Sequence, residues 1–183
     1  MKKFAPKTVK IHNTEWMAED LAVDDGKGGI FVTEKGKHYY TLEAAQRIAK
    51  SLGWRIPSYQ DMCDLNFAST RSGGDCWSSA IKSTSGWTPD ADGTSFNGTN
   101  TLGLNIEPNG YVVARSGGTF DILGDGYEFC FFIGGNAHRQ GVRESWIDIE
   151  DFVECIIDGI GNEFVNESFR VESNKLLTVR LVK

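Results

Sequence analysis

The chain has 183 residues, 40% of them hydrophobic and 24% charged, with a formal net charge of -6 and a pI near 5.1. That length builds one domain with a real core, or two small ones, and the balance of apolar and charged residues excludes a disordered chain. The acidic balance disfavours nucleic acid, which requires a basic stripe, and no stretch is long and apolar enough to cross a membrane as a helix.

Lys2, Lys3, Lys7 and Lys10 form the one basic cluster and read as solubilising, with residues 1–8 expected as an N-terminal tail. Its lysines also interrupt any hydrophobic run, so no secretory leader is expected. A single domain is expected over 9–183. Residues 8 to 12 alternate and predict a first strand, followed by a bend at Trp16 and Met17. A Gly-rich and charged stretch follows, with a short strand at Ile30-Phe31-Val32. Thr41 is placed to cap a helix over Leu42 to Leu52, whose Leu42, Ala45, Ile48, Ala49 and Leu52 share a face. Gly53 closes it. Ser58, with Asp61 three residues on, predicts the start of a second helix with Met62, Leu65 and Cys63 facing inward.

From Asn66 to Asn105 the chain is mostly Ser, Thr, Gly, Asn and Asp, and predicts a structured loop region pinned by its Trp residues. Strands then resume at 104–106 and 111–115, with Glu107-Pro108-Asn109-Gly110 as the turn between them. Tyr127 to Ile133 is a strongly apolar, central strand. Residues 146–149 and 152–157 fit either strand or helix, and 169–171 and 176–182 read as closing strands. Of the cysteines, Cys63, Cys76, Cys130 and Cys155, none form a Cys-x-x-Cys pair. Four free thiols are expected in a reducing compartment, with Cys63 and Cys76 the candidate bridge in an oxidising one.

The order of several short words carries a resemblance. Glu15-Trp16-Met17-Ala18-Glu19-Asp20-Leu21, Gly53-Trp54-Arg55-Ile56-Pro57-Ser58, Lys82-Ser83-Thr84-Ser85-Gly86-Trp87, Asn97-Gly98-Thr99-Asn100 and the closing Thr178-Val179-Arg180-Leu181-Val182-Lys183 come in an order that resembles the Fibrobacter succinogenes major paralogous domain family. That family is related to C-type lectin-like folds. The resemblance spans about Val9 to Val182. It implies an α+β, C-type lectin-like fold: two helices early, a long structured loop region, and antiparallel strands that bring the C-terminus back beside the N-terminus. It departs at Asp20, where the family places Asn, and at 127–135, where the family places Trp and Ser residues. Within the family words Trp16, Trp54, Arg55, Pro57 and Trp87 read as structural: the Trp rings fill the core, Arg55 pairs with an acid, and Pro57 fixes the entry to a helix.

Folds of this kind present loops for binding. Trp77, Trp146, Asn97 and Asn100 are the candidates for a ligand surface, and Asp90, Asp92, Glu107 and Asn109 the candidates for calcium. Glu107-Pro108-Asn109 matches the triplet with which calcium-dependent lectins hold the ion and a sugar, but Trp146-Ile147-Asp148 lacks the amide of the companion word. A hard cation needs six or more oxygens at fixed spacing, and Gly93 does not match the loop pattern that supplies them. The expectation is therefore no cofactor. His12, His38 and His138 are isolated, and no Gly-x-Ser-x-Gly, His-Glu-x-x-His or phosphate-loop motif occurs, so no enzyme is expected. The combination predicts a bacteriophage virion protein, assembled in the host cytoplasm. It would decorate the particle or attach it to a host glycan or protein, docked on other virion proteins or on copies of itself. A bacterial cell-surface glycan-binding adhesin is the alternative, followed by an enzyme on the same fold.

Overall fold

The computed structural model describes residues 4–72, 77–134, 153–158 and 173–183. Among the described residues, two α-helices and nine strands make a mixed α+β fold. The chain opens with a hairpin, β1 (Thr8–Ile11) and β2 (Thr14–Met17), then a second hairpin, β3 (Ile30–Val32) and β4 (His38–Tyr40). Helices α1 (Leu42–Leu52) and α2 (Tyr59–Arg71) follow. A 3-10 turn at Trp77–Ala80 precedes β5 (Asn109–Ala114), β6 (Phe120–Asp125), β7 (Glu128–Ile133), β8 (Val153–Asp158) and β9 (Lys175–Leu176).

Local chemistry accounts for both helices. Thr41 accepts the Ala44 amide at the start of α1, and Gly53 ends it in the left-handed conformation with φ 71°. Ser58 and Asp61 form a complete, reciprocal capping box on α2. Met62 and Leu65 face inward as expected, while Cys63 is half-buried. Cys63 is a free thiol and Cys130 is buried in the core; Cys76 and the Cys155 side chain lie outside the described residues.

The larger sheet runs β6-β5-β7-β8, with β9 also paired to β5. Its pairings are antiparallel except β5 with β7, which meet in parallel at Gly110 and Phe129. Strand β7 explains the shape of the core. Alternate side chains of a strand point to opposite faces. Phe129, Phe131 and Ile133 join one cluster with Trp16, Met62, Leu65 and Trp87, and Cys130 and Phe132 join another with Tyr40, Ile48 and Leu181. A continuous apolar run is what a strand covered on both faces requires. Each of the buried Phe and Ile side chains of β7 contributes roughly 1.5–3 kcal/mol of transfer free energy. Strand β2 divides in the same way, Trp16 to the first cluster and Met17 to the second.

The C-terminal segment returns to the N-terminal one. Glu15 and Lys183 exchange backbone hydrogen bonds of 3.1 and 2.9 Å, Met17 donates to the Leu181 carbonyl, and Leu21 to that of Val179. Val182 bridges both Trp16 and Arg55. The segment read as one long closing strand is therefore two residues of strand followed by single bridges to four different partners, Tyr40, Phe131, Arg55 and Trp16. It threads between elements and lies along no single edge.

Other expectations change. Trp16 and Met17 lie on β2, not at a bend, because the turn falls at His12 (φ 53°) and Asn13. Helix α2 continues through Arg71, so the loop region begins well after Asn66: Leu65 and Ser69 are buried along that stretch. Residues 104–106 form no strand; Ile106 makes one parallel bridge to Lys82. Asn109 and Gly110 open β5, and the hairpin turn lies at 115–119, leading into β6, a strand the sequence reading passed over. Strand β1 starts at Thr8, and Phe4 packs against the second cluster. Trp146 and residues 169–171 lie outside the described residues, while 153–158 resolve the ambiguous stretch as a strand.

Candidate functional site

Two cavities adjoin at one side of the fold, of about 210 and 330 Å3, sharing Lys37 and Glu107. The first is walled by the stretch after β2, the tip of the β3–β4 hairpin, the start of β5 and the closing segment. The second lies over Ser85, Pro108 and Asp125.

Beneath the first cavity Arg180, 3% exposed, anchors the arrangement. Its Nε donates to Asp20 Oδ1 at 2.5 Å, its Nη1 to the carbonyls of Met17 and Leu104, and its Nη2 to that of Asn105. A buried guanidinium needs this degree of satisfaction to offset its desolvation. The other Asp20 oxygen accepts from Asn109 Nδ2 at 2.6 Å. Asn109 is 2% exposed, and its Oδ1 has no hydrogen-bond partner among the described residues. Since the amide nitrogen faces a carboxylate, the orientation of the amide is fixed. The Asn109 main-chain carbonyl accepts from the Tyr39 hydroxyl at 2.5 Å, and burial pushes the Tyr39 phenol above its ordinary range.

Around the rim, Lys37 Nζ lies 3.5 Å from Asp125. His38 Nδ1 lies 2.9 Å from the Gly36 carbonyl, which places the proton of the neutral ring on Nδ1 and leaves Nε2 as an acceptor. The Glu107 side chain is exposed and engages no group among the described residues. The lining can therefore offer several acceptors and one flexible cation.

The expected calcium residues divide. Glu107 and Asn109 line the first cavity, with Asn109 buried as part of a hydrogen-bonded cluster. Asp90 and Asp92 line neither cavity; Asp90 accepts the amides of Asp92 and Thr94 and so closes its own turn. Among the described residues no group of three His, Cys, Asp or Glu is placed to hold a metal. Of the ligand-surface residues, Asn97 Oδ1 accepts the Trp87 amide and Asn100 Oδ1 that of Asn105, so both side chains brace the loop. Trp77 opens the 3-10 turn, its side chain lying outside the described set. Trp16 and Trp87 are buried at 2% and 3%, Pro57 is buried, and Trp54 is half-buried at the edge of the second cluster. Arg55 finds its acid in Asp61.

The chain matches no family model, no curated protein and no solved structure.

Asp20, Lys37, His38 and Arg180 were not predicted as a group. Asp20 and Arg180 are 160 residues apart, so no local spacing links them. The one available signal was Asp20 itself, an acidic residue where the family that the opening word resembles places Asn.

Proposed function

We propose that this chain is a lectin-like, non-enzymatic module of a bacteriophage particle, docked on other virion proteins or on copies of itself and presenting its loops outward. The observation that carries the docking half is β6, an edge strand among the described residues. Phe120, Ile122 and Leu123 on it are 43, 42 and 37% exposed, and Phe120 continues into Phe31 at a ring separation of 4.7 Å. An edge strand with apolar side chains and unpaired backbone groups is a template for another chain. The lectin-like half is supported by the meeting of the opening and closing words through Glu15 and Lys183. It is also supported by the firm bracing of the loop between the 3-10 turn and β5: Gly98 donates to the Ser83 carbonyl, Thr99 to that of Ser79, and Leu102 to that of Ala80.

The test is assembly. The wild-type chain is expected to sediment as an oligomer, and Ile122→Lys to return it to a monomer while keeping its unfolding midpoint. A wild-type monomer, or an oligomer indifferent to this substitution, overturns the β6 docking surface. The polar cleft favours a second reading, a glycan-binding adhesin of the bacterial surface.

A further inference from the structure

Strand β6 carries Asp121 and Asp125; a second edge strand, β1, carries Lys10 and follows Lys7. Among the described residues β1 pairs only with β2. The alternation of an antiparallel ladder fixes which residues of each edge face outward. Arg115 donates to the Thr119 carbonyl in the register of β5 and β6, and Ala114 donates away from β6, to Asn174. Phe120 and Ile122 therefore turn their amides and carbonyls to the open side of β6. Ala18 donates to the Lys7 carbonyl in the register of β1 and β2, while Glu15 and Met17 bond the closing segment. Thr8 and Lys10 therefore turn theirs outward from β1. Both residues are exposed, and Lys10 enters no ion pair among the described residues.

Strand β6 is a poor partner for itself. A two-fold axis at Asp121 sets that carboxylate against its own copy, and one at Leu123 sets Asp121 against Asp125; like charges directly opposite destabilise a ladder. An axis at Ile122 sets Phe120 against Gly124, whose φ of 70° leaves the extended range and whose carbonyl already accepts from Tyr127. Two β1 edges would gather their lysines at one seam, a device by which edge strands avoid each other. Strand β6 against β1 has none of these faults. With the strands antiparallel, Ile122 opposite Thr8 and Phe120 opposite Lys10, the outward groups of both meet and Gly124 stays out of the ladder. The Lys10 ammonium then lies beside the Phe120 ring, which is 43% exposed. Lys7, its side chain 80% exposed, falls opposite Leu123, diagonally between Asp121 and Asp125.

We propose that the β6 edge is occupied by β1 of a second copy of this chain, added antiparallel in that register. This rests on the reading of β6 as the docking surface and names its partner. The two surfaces differ, so the contact runs head to tail and builds a ring or a filament, where a two-fold contact would stop at a dimer.

Sedimentation of the full chain with one edge blocked at a time tests it. Thr8→Pro removes an outward amide that the fold does not use, a change edge strands tolerate; Ile122→Lys blocks β6. Each variant alone is expected to be a monomer. An equal mixture is expected to form a one-to-one complex and nothing larger, because one intact β1 and one intact β6 remain. Lys10→Glu, at an exposed position, is expected to weaken the wild-type assembly roughly fivefold or more. An oligomer that survives Thr8→Pro, a mixture that stays monomeric, or an assembly indifferent to Lys10→Glu overturns the β1 partner. If Ile122→Lys still dissolves that oligomer, the β6 docking surface stands without it; a monomeric wild type overturns both.

Discussion

Asp61 concentrates more donors than any other described carboxylate, and its replacement by Asn is the sharpest test of how the two helices are joined. Its Oδ1 accepts from the Thr14 hydroxyl at 3.0 Å and from Arg55 Nη2 at 3.0 Å; its Oδ2 accepts from Arg55 Nη1, the Ser58 amide and the Ser58 hydroxyl at 2.5, 2.7 and 2.6 Å. Strand β2, the segment before α2 and the first turn of α2 thus meet on one side chain that is 5% exposed. Asp61→Asn preserves volume but turns one acceptor into a donor facing Arg55 and Ser58. Breaking a fully buried pair costs about 3–5 kcal/mol. The Arg55 side chain is 50% exposed, so water recovers part of its loss. Adding about 1 kcal/mol for the weakened cap gives an expected destabilisation of about 3 kcal/mol, or a fall of roughly 6–12 °C in the midpoint for a chain of this size. Burial alone would raise the Asp61 carboxyl; hydrogen bonds from Arg55 and Ser58 outweigh it and hold its pKa well below the carboxylate range. A depressed folded pKa stabilises above the unfolded value and loses that stability as the pH falls. The penalty of Asp61→Asn, read by urea unfolding, is therefore expected to be full near neutrality and to shrink as the pH drops below about 4. A loss under about 1 kcal/mol near neutrality, or a penalty independent of pH, refutes the reasoning.

Two further substitutions probe the floor of the cleft and the sheet. Arg180→Met keeps much of the aliphatic stem but leaves Asp20 and three carbonyls without their donor; it is expected to cost about 3–5 kcal/mol in urea unfolding, and a loss under about 1 kcal/mol contradicts the role given to Arg180. Gly110→Ala places a methyl 2.0 Å from the Leu123 carbonyl at a φ of 59°, so the β5–β6 pairing must open. Loss of amide-exchange protection across β6, together with a midpoint several degrees lower, is expected; unchanged protection would mean that the pairing tolerates the methyl.

How much of this was legible in the sequence follows from the range of the forces involved. Helix α1 was readable to the residue because its cap, its face and its stop lie within thirteen consecutive positions, Thr41 to Gly53. Strand β7 was readable because a run buried on both faces must be apolar throughout. The extension of α2 through Arg71 was hidden, since Asn66, Ser69 and Thr70 carry little helical signal and packing of the preceding turns decides the outcome. Strand β6 was missed for the opposite reason. Its exposed apolar residues break the alternation expected of a half-buried strand. The Asn109 position shows the limit most clearly. As part of Glu107-Pro108-Asn109-Gly110 it reads as a turn, yet Tyr39 and Asp20, 70 and 89 residues away in the chain, hold it as a buried strand opening. Arg55 shows the reverse: its acid, Asp61, lies six residues on and was within reach of inspection.

The measurement that bears most directly on the proposed function is the mass of the native assembly by light scattering, taken with and without calcium at working concentration. A stable trimer or larger ring, unchanged by calcium, is the predicted result and supports a structural part of a virion. A monomer that gains thermal stability with calcium contradicts it and points to a calcium-dependent lectin.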